Sequence, residues 1–432
     1  MASIRKRGNS YQITVSNGYD VSGKKLTETT TYTPDPSLTP KQQQKALETF
    51  VFEFEQKVKS GKVLKGEKLN LANYTEQWIK EYAETNLEIT TLNHYNLQLK
   101  KMILPALGHI KLSSLKPLHL QSFYNNLLED GIRKDGKPGG YSHNTIKKLH
   151  AILSSMFSTA VQWQLMESNP CDRVAPPKQN SKKYTPKHFT LEQAESFLNA
   201  LEMEYITEYK AHTRVDDTGK KYNVGAYTES RSIPTQFKVF FNIAIFGGLR
   251  KCEVLALTWD DIDFSNNTVT INKDTVYTNK EVITKDPKNI TSNRTIKLPR
   301  SVMDLIKRYK VEQAEYRLSI GDQWLDNNLL FVQWNGKQMH PCTPYSTFKD
   351  IIKKYNKTVE NEVDKLPDIP LHGLRHTNAT LLISDNVDIR TVSARLGHAQ
   401  TSTTMNIYAH ALEKMDEKAA DSLEDMFQRK VK

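Results

Sequence analysis

A stretch with three prolines divides this chain, so we do not expect a single hydrophobic core along its whole length. Residues 176–189 contain Pro176-Pro177, then Lys182-Lys183, then Pro186, without apolar periodicity. Proline cannot continue a helix or sit in the middle of a sheet, so we expect a linker there. Because 432 residues exceed the usual size of one domain, the linker is expected to separate larger folding units.

The part before the linker divides again, into a small β-rich unit and a helical one. Residues 11–15 alternate like a strand, and the threonine-rich residues 27–33 predict a second strand. Thr39-Pro40 is typical of a helix start, and Gly61 is expected to end that helix. From residue 69 to residue 169, apolar side chains recur at spacings of three and four, which predicts packed helices.

The part after the linker mixes helices with short strands. Residues 237–246 predict a buried helix that ends at Gly247-Gly248. Strands are expected at 268–271 and 294–298, with residues 285–289 in the hairpin between them. Residues 205–234 are polar and are interpreted as a surface insertion. The predicted division is residues 1–64, 65–175, a linker at 176–189, 190–410 and a tail at 411–432.

The charge balance favours a polyanionic partner. Sixty lysines and arginines against 49 acidic residues give a formal net charge of +11, which suits DNA or RNA, although a solvated basic surface gives the same balance. Cys171, Cys252 and Cys342 form neither a disulfide framework nor a zinc spacing, which fits a reducing compartment. The sequence has no membrane-length apolar run and no signal peptide at its start, so we expect a cytoplasmic protein without membrane contact.

Three short stretches after the linker collect unusual residues, mainly arginines and histidines next to glycines. Each has an ordinary interpretation, since Arg250 can pair with Glu253 at a helix start and a lone histidine such as His398 is most often structural. His372 and His376 match the helical zinc motif only in part, because that motif has glutamate where Gly373 stands, so we expect no metal. The stretches are Gly247-Gly248-Leu249-Arg250 with Glu253, Leu371-His372-Gly373-Leu374-Arg375-His376, and Leu396-Gly397-His398 followed by Tyr408.

Taken together, the stretches resemble the tyrosine recombinases, in particular the integrases of phages and conjugative transposons. The order is Arg250, His372 with Arg375, His398 and Tyr408. The resemblance implies a site-specific DNA recombinase that cleaves and rejoins strands through a covalent 3′-phosphotyrosine, to integrate and excise a mobile element or prophage. It also implies a multidomain, mainly α fold with small β-sheets: an arm-DNA-binding unit (1–64), a helical core-DNA-binding domain (65–175) and an α+β catalytic domain (190–410).

The residue types fit a strand transfer that needs neither metal nor ATP. Arg250 and Arg375 can each present paired donors to the non-bridging oxygens of a phosphate. The hydroxyl of Tyr408 must lose its proton during attack, and His372 is the candidate to accept it. No cofactor is expected, because a phosphotyrosine keeps the energy of the phosphodiester.

The remaining roles come from the resemblance. It implies that His398 binds a non-bridging oxygen, that Glu253 orients Arg250, and that a hairpin lysine protonates the leaving 5′-oxygen. Lys288 matches the family position, and Lys285 is the alternative. A type IB topoisomerase and a catalytically silent DNA-binding regulator are the competing interpretations.

The expected partner is double-stranded DNA, at core and arm attachment sites, bound by a homotetramer in the cytoplasm of a bacterium, at the nucleoid. The sequence leaves open the need for an excisionase or a host DNA-bending protein. Apolar residues recur at three and four in the tail, 411–427, which predicts a helix with one apolar stripe. That stripe can dock on its own domain, or, as the resemblance implies, on a neighbouring protomer of the tetramer. The candidate DNA-binding residues are Arg5, Lys6, Arg7, Lys24, Lys25, Lys147, Lys148, Lys182 and Lys183.

Overall fold

The computed structural model describes residues 2–19, 23–59, 69–178, 186–215, 219–278, 281–285 and 293–408, with residues 420, 423, 424, 426 and 427 of the tail. The chain forms two compact units, Met1–Asn180 and Ser181–Lys432. Gly61, Lys182, Lys183, Lys288 and most of the predicted tail helix lie outside the described residues. No helix within the described ranges is long and apolar enough to cross a bilayer.

The first unit begins with a three-stranded antiparallel sheet and one covering helix. The elements are β1 (Ser3–Arg7), β2 (Ser10–Tyr19), β3 (Lys25–Tyr32) and α1 (Pro40–Lys59), with strand order β1-β2-β3. Alternation along β2 buries Ile13 and Val15, which form a small core with Leu47 and Val58 of α1. The two strands expected at 11–15 and 27–33 and the helix at Thr39-Pro40 are confirmed, and β1 adds an edge strand.

The register of the sheet decides which basic side chains share a face. Arg5 lies opposite Gln12, and side chains alternate, so Arg5 and Arg7 lie on the face away from α1, where Lys25 joins the row of threonines of β3. Lys6 lies on the other face, with its Nζ 5.9 Å from the ring centre of Tyr11. Three of the candidate DNA-binding residues therefore share one open, exposed face.

The rest of the first unit is helical, as predicted. Trp78 is fully buried and stacks on Tyr82 and on Tyr95, with ring centres 5.6 and 6.4 Å apart. Lys147 and Lys148 are exposed near the start of the helix His143–Gln162. The helices are α2 (Leu71–Trp78), α3 (Glu84–Asn86), α4 (Ile89–Gln98), α5 (Leu104–Leu107), α6 (Pro117–Leu128) and α7 (His143–Gln162), with π-helical turns at Ile79–Ala83 and Leu99–Ile103.

The second unit is built around one buried helix, α9 (Thr235–Gly247). Most of its aromatic and aliphatic side chains are buried, and helices that precede and follow it in the chain pack against it. Gly248 ends α9 with φ +64°, where a β-carbon would also lie 2.6 Å from the side-chain oxygen of Asn378. The other helices of the second unit are α8 (Leu191–Glu202), α10 (Lys251–Ala256), α11 (Arg300–Ile320), α12 (Thr343–Thr358), α13 (Gly373–Ser384), α14 (Ile389–Leu396) and α15 (Thr401–Ile407).

Short sheets flank this helical core. The predicted strands at 268–271 and 294–298 are confirmed as β9 (Thr268–Ile271) and β12 (Arg294–Lys297), which pair antiparallel beside β8 (Ile262–Asp263). Between them a further hairpin, β10 (Asp274–Thr278) with β11 (Glu281–Lys285), was not predicted. The insertion at 205–234 also forms strands: β4 (Glu204–Tyr209), β5 (His212–Val215), β6 (Lys221–Val224) and β7 (Tyr227–Ser232).

Candidate active site

Separate segments of the second unit bring the sequence-selected residues together. Arg250 precedes α10, and His372 and Arg375 lie at the start of α13. His398 follows the left-handed Gly397 that ends α14, and Tyr408 follows α15. Helix ends, rather than helix faces, therefore carry these side chains.

A buried carboxylate orients Arg250. Glu253 is 5% exposed, and its Oε2 accepts the backbone N–H of Arg250 at 2.9 Å. Its Oε1 accepts Nη1 of the same arginine at 2.6 Å. Burial raises the pKa of Glu253, but hydrogen bonds and charge from Arg294 and Arg250 outweigh burial and hold the pKa below its ordinary value. Arg250 keeps 38% of its side chain exposed, so it can still meet a ligand.

Arg294 is a site residue that sequence reasoning missed. It lies on β12, 7% exposed, and donates Nη2 to Oε2 of Glu253 at 2.8 Å and Nη1 to Oε1 at 3.3 Å. Its Nε donates to the carbonyl of Arg395 at 2.8 Å. The sequence placed Arg294 only at the start of a predicted strand, and no signal there marked it as a partner of Glu253.

Arg375 is held in place by the backbone. The side chain is 2% exposed and donates Nη1 to the carbonyl of Gly248 at 2.7 Å and Nη2 to the carbonyl of Leu396 at 2.6 Å. Burial, and then the charge of Arg250, lowers its pKa to about 9. Arg375 therefore stays charged at neutral pH, in an orientation fixed by two helix ends.

Three histidines surround the arginines and are neutral at pH 7. Burial, followed by the charge of Arg375 and then of Arg250, lowers the pKa of His372 and of His398 to about 4. For His376, burial and then His372 lower the pKa to about 4. His372 keeps an exposed edge, and His398 shares a hydrogen bond of 2.8 Å with Thr404 through Nδ1. The positive charge of the site therefore comes from its arginines.

The hydroxyl of Tyr408 lies against His376 rather than His372. Its oxygen is 2.8 Å from Nδ1 of His376, and the residue is 1% exposed. The ring packs with Ala379, Ile383 and Leu396. The candidate nucleophile thus lies beside the pocket that holds Arg250 and Arg375, and its hydroxyl group is covered by protein.

The hairpin of β10 and β11, here called the lysine hairpin because β11 ends at Lys285, is hydrogen-bonded to the helix that follows Arg250. Nε2 of Gln338 donates to the carbonyl of Leu255 on α10, to Oγ1 of Thr275 on β10 and to Oγ1 of Thr284 on β11. Lys285 follows Thr284 and pairs across the hairpin with Asp274. Within the described ranges, no cluster of three metal-ligating side chains is found.

Comparisons with known proteins identify the family. The model of the phage integrase family matches residues 206–415, and that of the phage integrase N-terminal SAM-like domain matches residues 70–128. A XerC-like tyrosine recombinase of Caldanaerobacter subterraneus is 26% identical over 372 residues, covering 83% of this chain and 84% of the relative. The ICEBs1 integrase of Bacillus subtilis is 26% identical over 294 residues, covering 68% and 69%.

Solved structures share the fold. The Tn1549 transposon integrase in complex with a circular intermediate DNA aligns with a TM-score of 0.60 at 20% identity, over 81% of this chain and 99% of that one. A lambda integrase dimer on a core site aligns with a TM-score of 0.52 at 15% identity, over 79% and 95%. The mainly helical multidomain fold expected from the sequence is confirmed. The chain belongs to the phage integrase family of tyrosine recombinases.

Proposed function

We propose that this tyrosine recombinase uses Tyr408 to cut and rejoin DNA at specific sites, so that a mobile element is integrated and excised. The observation that carries the assignment is the placement of Tyr408 beside a pocket that holds Arg250 and Arg375. Relatives named as integrases and transposases of mobile elements support the biological role.

Charge stabilisation comes from the two arginines. A phosphodiester under attack gathers negative charge on its non-bridging oxygens, and fixed guanidiniums bind such oxygens in pairs. Arg375 is fixed by two carbonyls and Arg250 by Glu253, so neither has to reorganise when the charge develops. His398, neutral and beside Thr404, adds a further donor to the phosphate.

In the cleavage step, each bond formed is matched by a bond broken, and side chains of the protein accept and donate the protons. The Oη–P bond forms at Tyr408 while the bond from phosphorus to the 5′-oxygen breaks. The phenol proton passes to a neutral histidine: His372 was expected, and His376 lies within hydrogen-bond distance of the hydroxyl. The leaving oxygen takes a proton from Lys288, with Lys285 as the alternative, and religation reverses each transfer.

DNA binding is divided among the predicted domains. The open face of the N-terminal sheet, with Arg5, Arg7 and Lys25, suits contact with an arm site, because guanidinium and ammonium groups there can bind phosphates. The helical domain binds the core site, and its exposed Lys147 and Lys148 can contact phosphates. Strand exchange between two duplexes needs four active sites, hence a homotetramer on DNA.

The test is covalent trapping on a nicked substrate that loses a short fragment after cleavage. The substrate is built from the DNA ends recovered with the trapped wild-type protein. Tyr408→Phe should bind DNA normally and form no covalent adduct on a denaturing gel. Tyr355→Phe, a half-buried tyrosine of the same unit, is the control and should keep the adduct. An adduct from Tyr408→Phe overturns the assignment, and a wild-type protein without adduct indicates a silent DNA-binding regulator.

A further inference from the structure

Two arginines share one buried carboxylate at the centre of the site. Oε1 of Glu253 accepts from Arg250 at 2.6 Å and from Arg294 at 3.3 Å. Oε2 accepts from the backbone of Arg250 at 2.9 Å and from Arg294 at 2.8 Å. With one carboxylate and two guanidiniums, this trio carries a net charge of +1.

We propose that Arg294 is a positioning residue that neutralises Glu253, so that the charge of Arg250 remains available to the scissile phosphate. The inference rests on the proposed function. Without Arg294, Arg250 and Glu253 form a closed ion pair of zero net charge in a poorly solvated place, where charge interactions are strong. The phosphate then meets one positive charge fewer, although Arg250 itself is unchanged.

The same side chain reaches the turn before His398. Nε of Arg294 donates to the carbonyl of Arg395, in the last turn of α14. A β-carbon on Gly397 would lie 2.7 Å from Nη1 of Arg294, so the turn and the guanidinium pack in direct contact. One planar group thus fixes both Glu253 and the turn that carries His398. Lysine, a point charge without this fork, cannot replace it in full.

A merely structural role for Arg294 makes a different prediction. If Arg294 only held β12 to α14, its loss would slow the enzyme on every substrate alike. If it keeps the charge of Arg250 available, its loss matters only where the substrate phosphate is charged. A scissile methylphosphonate, in which a methyl group replaces one non-bridging oxygen, removes that charge and separates the two roles.

The experiment measures the rate of adduct formation on matched nicked duplexes with a phosphate or a methylphosphonate at the scissile position. We expect Arg294→Met to slow adduct formation on phosphate by about 100-fold, as for loss of one fixed donor. Most of that deficit should disappear on methylphosphonate, as it should for Arg250→Ala. Arg395→Met is the matched control, because Arg395 donates to the carbonyls of Phe246 and Lys297 and has no hydrogen bond to Glu253. Its deficit should be equal on both substrates.

A double variant distinguishes a lost charge from a damaged fold. Glu253→Gln in the Arg294→Met background restores the charge of +1 and should recover part of the rate on phosphate, whereas a structural role predicts a further loss. Equal deficits of Arg294→Met on both substrates, or a slower double variant, overturn the inference. In either case a wild-type adduct at Tyr408 leaves the proposed function intact, while absence of that adduct counts against the function itself.

Discussion

Replacing Glu253 with glutamine should destabilise the second unit far more than the same change at the surface. The carboxylate is 5% exposed and accepts four hydrogen bonds, three of them from guanidiniums. The amide keeps one acceptor oxygen but loses the charge. Two guanidiniums, one of them 7% exposed, then repel each other without a counter-ion.

The size of the effect follows from the burial. Breaking a buried ion pair by removing one partner costs about 3–5 kcal/mol, and the retained oxygen places this variant near the lower end. A loss of about 3 kcal/mol lowers the ratio of folded to unfolded protein by roughly 150-fold. Glu202→Gln is the control, because Glu202 binds Lys238 at 2.7 Å but is 63% exposed. Such exposed pairs contribute less than about 1 kcal/mol.

Urea denaturation of the full chain, followed by circular dichroism, measures both variants. Since the pKa of Glu253 is lowered in the folded state, its stabilisation is complete above the ordinary value of 4.5 and is lost as the pH falls through the folded pKa. The difference between the wild type and Glu253→Gln should therefore be full at pH 7 and shrink below about pH 4.5. Equal midpoint shifts for Glu253→Gln and Glu202→Gln would refute the reasoning.

Two other changes test how the site is held. Gly397→Ala should slow adduct formation and lower the melting temperature, because φ is +68° and the new methyl group meets Arg294. Gly8→Ala is the control, because Gly8 has φ +60° and no neighbour within 4 Å. It should cost only about 1–2 kcal/mol of backbone strain and leave the adduct rate unchanged. Gln338→Ala should release the lysine hairpin and slow cleavage, and a substrate with sulfur at the leaving 5′-position should recover the rate, because a thiolate leaves without a proton. Absence of that recovery would make Gln338 a stability residue only.

The sequence predicted the parts of the fold that follow from local patterns. The buried helix that ends in a glycine pair and the strands β9 and β12 have apolar residues at regular spacing and clear stop signals. The hairpin of β10 and β11 was missed because threonines such as Thr275 and Thr278 occupy its buried positions. The strands of the insertion are mostly exposed and polar, so no periodicity reveals them.

Which site residues contact each other was harder to predict than which residues form the site. The motif residues around Arg250 and Arg375 were selected from sequence, because rare residue types in a fixed order are informative on their own. Arg294 lies 41 residues from Glu253, and no local pattern links them. His372 and His376 lie one helical turn apart, so only the fold could decide which ring meets Tyr408.

The covered position of Tyr408 bears on when its hydroxyl group can react. A hydroxyl group on a residue that is 1% exposed cannot attack a phosphate that lies outside the fold. Attack on DNA therefore requires a conformation in which this hydroxyl is uncovered, and the population of that conformation limits the rate. Each 1.4 kcal/mol or so that favours the closed form lowers this population about tenfold. A free-energy preference for the covered form would therefore lower the cleavage rate without any change in the groups that stabilise the phosphate.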